Sequence, residues 1–225
     1  MKALIFDSST LISLAMNGLF EELRQLKEIF DGKFLITREV KKEIIDKPLN
    51  IKRFELEAIK IKELLDDKTL ELPEEIKIDS SEISRKTAEV LELANNCFFS
   101  NGKGIHLIDD GEASCVALSK HLKESKIENI LCIDERTTRN IIESPEELKD
   151  FLQKKLHSKI EIKKNRLEYF SDLKIIRSAE LVYVAWKKGI VKSKNKKVLD
   201  AMLWAVKFKG CSISEDEIKE IQKIS

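Results

Sequence analysis

Asp7, Glu43, Glu112 and Asp134 are the residues of this 225-residue chain whose types and spacing could do chemistry together. Asp7 closes the apolar run at 3–6 (Ala-Leu-Ile-Phe), and Asp134 closes a second such run at 130–133 (Ile-Leu-Cys-Ile). Glu43 and Glu112 lie in helical stretches that follow other apolar runs. Carboxylates gathered within a few ångströms repel one another by about a few kcal/mol per pair at an effective dielectric of about 20. Such a set either takes up protons or holds a cation. With oxygen donors alone the cation is a hard divalent ion, Mg²⁺ or Mn²⁺. One or two such ions activate a water for in-line attack on a phosphodiester and stabilise the leaving oxygen, so the chemistry expected of the set is that of a nuclease. Singly, each acid also reads as a helix cap that satisfies free backbone N–H groups and favours the helix dipole. It is the set of four that points to a site. Glu39 lies four residues before Glu43 on the same helix side and stays open as the ligand in its place.

The elements that must position these acids can be read from periodicity. The run at 3–6 predicts a buried parallel strand, and the hydroxyls of Ser8, Ser9 and Thr10 start a helix with Leu11, Leu14 and Ala15 on its inner face. Residues 34–37 predict a second strand and 38–46 a helix with Val40 and Ile44 inward. Amphipathic helices are expected at 51–72 and 79–97, the latter opened by Asp79-Ser80-Ser81-Glu82 as a capping box. Acids collect again at Asp109-Asp110-Gly111-Glu112, ahead of a small-residue helix. Residues 130–133 are the most strand-like run, Ser144-Pro145-Glu146-Glu147 starts a helix, and 159–163 alternates like an edge strand. Three helices at about 173–188, 195–208 and 214–223, broken at Gly189 and Gly210, close the chain. Alternating strands and helices predict an α/β, three-layer fold with a parallel central sheet. Its site would lie outside the carboxyl ends of the strands, where Asp7 and Asp134 fall. We expect a core domain over residues 1–165 and a basic helical C-terminal extension over 166–225.

A formal net charge of +1 hides the asymmetry behind that division. Residues 154–210 hold sixteen Lys or Arg against five Asp or Glu, while residues 1–153 carry a net charge of −8. The basic stretch also holds both Tyr and both Trp, at 169, 183, 186 and 204. Cations beside aromatic faces suit single-stranded nucleic acid, with Lys187, Lys188, Lys192, Lys194, Lys196 and Lys197 as the phosphate-contacting candidates. Equally, Tyr183 and Trp186 are three residues apart and can be core residues of an amphipathic helix with solvated lysines opposite.

Cys97, Cys115, Cys132 and Cys211 stand singly, and His106, His121 and His157 have neither metal-ligand nor triad spacing, so carboxylates must carry any chemistry. The longest run free of Lys, Arg, Asp and Glu is thirteen residues, short of the ~20 that a membrane-spanning helix needs. With an N-terminus too short in apolar residues for a signal peptide, a cytoplasmic protein without membrane contact is expected. A dehalogenase-type phosphatase would carry a second Asp at position 9, which is Ser. A dinucleotide-binding fold would need glycines in the first turn, where none occurs.

Four blocks stand in order along the chain. They are Ile5-Phe6-Asp7-Ser8-Ser9-Thr10-Leu11-Ile12, Ile36-Thr37 through Val40-Lys41-Lys42-Glu43-Ile44, Gly111-Glu112-Ala113 with Ala117-Leu118, and Leu131-Cys132-Ile133-Asp134-Glu135-Arg136. Together they resemble the PIN-domain ribonucleases, which include VapC-like toxins and archaeal and eukaryotic RNA-processing enzymes. The resemblance covers about residues 1–160. It implies a PIN-like α/β/α fold and Mg²⁺- or Mn²⁺-dependent cleavage of single-stranded RNA. Asp7, Glu43, Glu112 and Asp134 would be the catalytic, metal-binding acids, and Ser9 the hydroxyl that helps to position metal or water. It also implies a homodimer and, for a member of a toxin–antitoxin pair, an antitoxin-like protein partner. Cys132 stands where many members carry Thr or Ser, and the tail is similar to that of extended archaeal PIN proteins. The alternative is a non-catalytic PIN-like module that binds RNA or protein through the basic C-terminal helices. The four acids favour the enzyme, because clustered negative charge facing phosphates gives a binding module nothing.

Overall fold

In the computed structural model, which describes residues 1–224, Ala3, Leu4, Ile5 and Phe6 are all buried. Neighbours on a strand point to opposite faces, so this sheet is covered on both sides. The elements in chain order are β1 (Lys2–Phe6), α1 (Ser8–Met16), α2 (Phe20–Ile29), β2 (Lys33–Leu35), α3 (Arg38–Lys41), α4 (Glu55–Asp66), α5 (Ser80–Ala94), β3 (Phe98–Ser100), β4 (Lys103–Gly104) and α6 (Asp110–Glu124). There follow β5 (Glu128–Cys132), α7 (Arg136–Glu143), α8 (Pro145–Leu156), β6 (Ile160–Ile162), α9 (Lys164–Leu167), β7 (Ile175–Ile176), α10 (Ser178–Lys187), α11 (Lys196–Phe208) and α12 (Glu215–Lys223). A π-helical turn, Lys42–Asp46, continues α3.

The fold is α/β. Its central sheet has the order β2-β1-β5-β7 with every pair parallel. The chain leaves β1 toward β2 on one side and returns to β5 on the other, which makes a switch point between β1 and β5. Phe6 pairs with Cys132, and the Asp7 N–H continues the ladder by donating to the Cys132 carbonyl at 3.0 Å. Both strands therefore release their acids at one edge. A second, antiparallel sheet of order β4-β3-β6 accommodates the alternating residues of 159–163 as an edge strand.

Helical periodicity over 51–72 overstates α4, which ends at Asp66. Beyond it Glu71 pairs alongside β2: its N–H donates to Phe34 at 2.8 Å, and its carbonyl accepts from Ile36 at 3.1 Å. Lys33 holds the buried Glu71 carboxylate at 2.7 Å. Sheet hydrogen bonds at an open strand edge outweigh one more turn of helix here.

Of the expected extension, the described residues 166–224 share the core rather than forming a body of their own. β7 is the fourth strand of the central sheet, which is why α10 starts at Ser178 and not near 173. Leu181, Val182, Ala185, Leu199, Leu203 and Val206 join the same apolar cluster as β1 and β5, with Tyr183, Trp186 and Trp204 packed against it. These aromatics thus serve the core. The six candidate lysines are all exposed. α10 leads away from Asp134, and α11 returns so that the Ser212 N–H donates to the Asp134 carbonyl at 3.1 Å. Lys187 through Lys197 thus sit at the far end of a helical hairpin, about 14 Å of helix axis from Ser178. No helix among the described residues is long and apolar enough to cross a membrane. All four cysteines are free and buried.

Candidate active site

Asp7 takes its place because it ends β1 and is the N-cap of α1. Its Oδ2 accepts from the Ser9 N–H at 3.0 Å and the Ser9 hydroxyl at 2.6 Å, while the Ser8 hydroxyl lies 3.5 Å from Oδ1. Only 1% of Asp7 is exposed. Burial raises its pKa, the Ser9 and Ser8 hydrogen bonds oppose that, and the charge of Asp134 adds to it.

Glu43 arrives from the π turn and stands at the rim. A Cβ placed on Gly111 would lie 2.7 Å from Glu43 Oε2 and 3.6 Å from Asp7 Oδ1. The two carboxylates thus share the space that this glycine leaves. Desolvation and then the charge of Asp7 raise the Glu43 pKa, with a Ser8 hydrogen bond and Lys47 opposing. Glu112, at the third position of α6, accepts from the Asp109 N–H at 2.9 Å in a capping box. Its carboxyl is pushed up to about 7 by burial first, then by Asp7, with a smaller push from Glu135. A bond of 2.6 Å between the hydroxyls of Thr37, which caps α3, and Ser114 of α6 ties the Glu43 and Glu112 segments together.

Three of the four expected acids therefore converge. Asp134 differs. It is fully buried, its Oδ1 accepts from the Ser178 N–H at 2.7 Å and from the Thr10 hydroxyl at 3.4 Å, and its Oδ2 accepts from the Ser178 hydroxyl at 2.6 Å. Through both oxygens it ties α1 and the C-terminal hairpin to the sheet edge. Ser9 is committed too, donating to Asp7 while its Oγ accepts from the Asp134 N–H at 3.1 Å. It links Asp7 to the Asp134 backbone. Glu39 accepts from the Ser84 hydroxyl at 3.1 Å and so turns to α5, which leaves Glu43 as the acid at Asp7. Sequence reasoning missed Ser178, whose partner lies 44 residues away, and the spatial role of Gly111.

Beside Glu43 runs an open groove lined by Lys42, Lys47, His106 and Asp109. His106 Nε2 lies 2.7 Å from Asp109 Oδ1. The tail lysines do not line it. Among the described residues, no three His, Cys, Asp or Glu side chains already stand in a ligating arrangement.

Two outcomes follow. Ser178→Ala leaves the buried Asp134 short of a donor and should lower unfolding free energy by roughly 1–3 kcal/mol in urea titrations. Adding Asp134→Asn should recover part of it, and an additive pair would refute the coupling. Gly111→Ala forces Glu43 aside at little cost in Tm, because the clash is with the end of a flexible side chain, yet it should weaken any Mn²⁺-dependent stabilisation. An unchanged Mn²⁺ titration would show that the shared space is unimportant.

No family model, no curated protein and no solved structure matches the chain.

Proposed function

We propose that the protein is a metal-dependent endoribonuclease with a PIN-like fold that hydrolyses phosphodiester bonds of single-stranded RNA. The observation that carries this reading is the meeting of Asp7, Glu43 and Glu112 at the switch point of a parallel sheet, where burial raises all three pKa values and the charge of Asp7 adds to the rise at Glu43 and Glu112. Carboxylates disfavoured as anions by one another are what a cation relieves. The donors are all oxygen, and Gly111 leaves space between two of them, so the residues suit Mg²⁺ or Mn²⁺. Asp7, Glu43 and Glu112 would hold the ion, which when bound lowers the pKa of water and offsets charge on the leaving oxygen.

The chain's own residues supply the rest. Ser9 fixes Asp7 by its Oδ2. Asp134 holds the end of β5 through Ser178 and Thr10, so the edge that carries Asp7 stays rigid. Lys42 and Lys47 are the cations that a phosphate backbone would meet in the groove, which Glu39, Glu43, Asp109 and Asp110 also line. Incubation of purified protein with end-labelled single-stranded and structured RNA, with Mn²⁺, with Mg²⁺ and with chelator, beside Asp7→Asn, tests the reading. Cleavage that needs both metal and Asp7 supports it, and metal-independent cleavage refutes it.

A second reading, a module that binds RNA through the basic tail without cleaving it, is favoured by one observation, the cluster of exposed lysines at the far end of the α10–α11 hairpin. In that case Lys187→Gln, Lys188→Gln, Lys192→Gln and Lys194→Gln together should flatten log affinity against log salt by about 0.7 for each single-strand phosphate no longer neutralised. For the ribonuclease with its groove beside Glu43, the slope should respond instead to Lys42→Gln and Lys47→Gln.

A further inference from the structure

Glu43 stands between two depressions. On one side is the groove with Lys42, Lys47 and His106. On the other, α1, the π turn and α4 enclose a slot of about 400 Å³. Its floor is buried and apolar, formed by Ile44, Ala58 and Ile61. Its walls are mostly apolar and open to water, with Ile12 39%, Phe54 46% and Met16 53% exposed, and Glu43, Arg53 and Glu57 also line it. The guanidinium of Arg53 lies over the Phe54 ring at 5.4 Å from its centroid.

We propose that this slot receives a nucleobase of the RNA strand whose phosphodiester lies at Asp7, Glu43 and Glu112, an assignment that rests on the ribonuclease reading. Size is the first argument. Sites for small molecules run to about 300–1,000 Å³, so a slot of about 400 Å³ takes a base and its ribose. An α-helix of a protein partner, about 10–12 Å across with its side chains, needs a longer trough. Continuity is the second. Glu43 lines both depressions, so a base in the slot and a phosphate beside Gly111 belong to one strand. The third is chemistry. Single-stranded bases are held on aromatic faces and guanidinium planes, and Phe54 with Arg53 offers both at the mouth of an apolar slot. The slot thus supplies grip close to the acids, which the distant tail lysines do not.

The test uses the full chain and single-stranded hexauridylate and hexaadenylate, each also made with one abasic residue moved through the six positions. Binding is read by fluorescence anisotropy in chelator, and cleavage separately with Mn²⁺. One abasic position should weaken binding to the wild type by about 5- to 150-fold, the range for loss of one stacked base. Phe54→Ala should weaken binding of intact RNA by a similar factor and remove the penalty of that abasic position. In cleavage it should raise KM with kcat within about twofold. Phe54 is half open to water, so its variant should melt with the wild type, and 5-iodouridine at the sensitive position should crosslink to Phe54 in the wild type. Equal abasic penalties in both proteins would overturn the slot, even if cleavage proceeds. Phe54-dependent binding without cleavage would keep the slot and refute the ribonuclease. Conversion of a dimer to a monomer by Phe54→Ala, with RNA binding unchanged, would make the slot a protein interface and overturn the proposal. RNA that does not bind at all would overturn both.

Discussion

Asp7→Asn should remove metal-dependent RNA cleavage by a factor of at least about 10³, and leave the protein no less stable than before. The size follows from the several kcal/mol that a correctly held metal contributes to the transition state, at about 1.4 kcal/mol per tenfold in rate. Stability follows from the surroundings of the side chain. Asp7 is 1% exposed, its pKa is raised by burial, and its charge faces those of Glu43, Glu112 and Asp134. Asn keeps the shape and an oxygen that can accept from the Ser9 N–H and hydroxyl. It removes a charge that the fold disfavours. In chelator at pH 8 the melting temperature should match or exceed that of the wild type, while the gain on adding Mn²⁺ shrinks. Full activity in this variant would rule the site out. If the substitution disturbs folding, Glu43→Gln serves instead, because Glu43 stands exposed at the rim and Gln keeps an oxygen for its Ser8 hydrogen bond.

The second large effect is on stability against pH. Asp7, Glu43 and Glu112 all have folded pKa values raised above their ordinary ones. As pH rises, the unfolded chain releases these protons first and the folded protein later, so between the two the native state binds more protons. Stability therefore falls as pH rises through that interval. For Glu112 the interval runs from 4.5 to about 7. At full ionisation the loss is on the order of 3 kcal/mol from this group alone, or roughly 5–10 °C in Tm for a chain of this size. The ion-paired acids Asp67 and Glu74 have lowered pKa values and act in the opposite sense, but below their ordinary values of 3.8 and 4.5. Above those values the fall belongs to the three site acids together with Asp134, whose pKa is also raised by burial. Calorimetry in chelator should show Tm falling from about pH 5 to 8, Glu112→Gln should flatten the fall, and millimolar Mn²⁺ should reverse it by binding the native state alone. A level profile in chelator would mean that the three acids do not share one environment.

Much of the scaffold behind both effects is legible along the chain. The runs at 3–6 and 130–133 become the central strands β1 and β5, because four consecutive apolar residues suit only a sheet covered on both faces. Asp7 and Glu112 could be placed at helix starts because N-capping is an interaction over two or three residues. The same locality explains the starts of α5 and α12, at Asp79 and Ser214, whereas at α8 the Ser144 side chain makes no cap bond and Pro145 stands in the first turn. The small second sheet was less legible, since Phe98–Ser100 and Lys103–Gly104 are too short to show a period.

The alternation of strands and helices, and the edge at which the acids gather, are written into the order of residues. Both follow from spacings of one to four residues, over which backbone geometry fixes which side chains meet. How those acids divide is settled by packing in three dimensions. Glu43 meets Asp7 over Gly111, while Glu39, four residues earlier, turns to Ser84 on α5. Asp134, read as an equal of Asp7 because it too ends a strand, is taken up by Ser178 from a hairpin that adds its own strand to the sheet. Distance along the chain is the cause. Whether a carboxylate stays open or is capped depends on donors brought in by packing, and no local pattern records a partner 44 residues away.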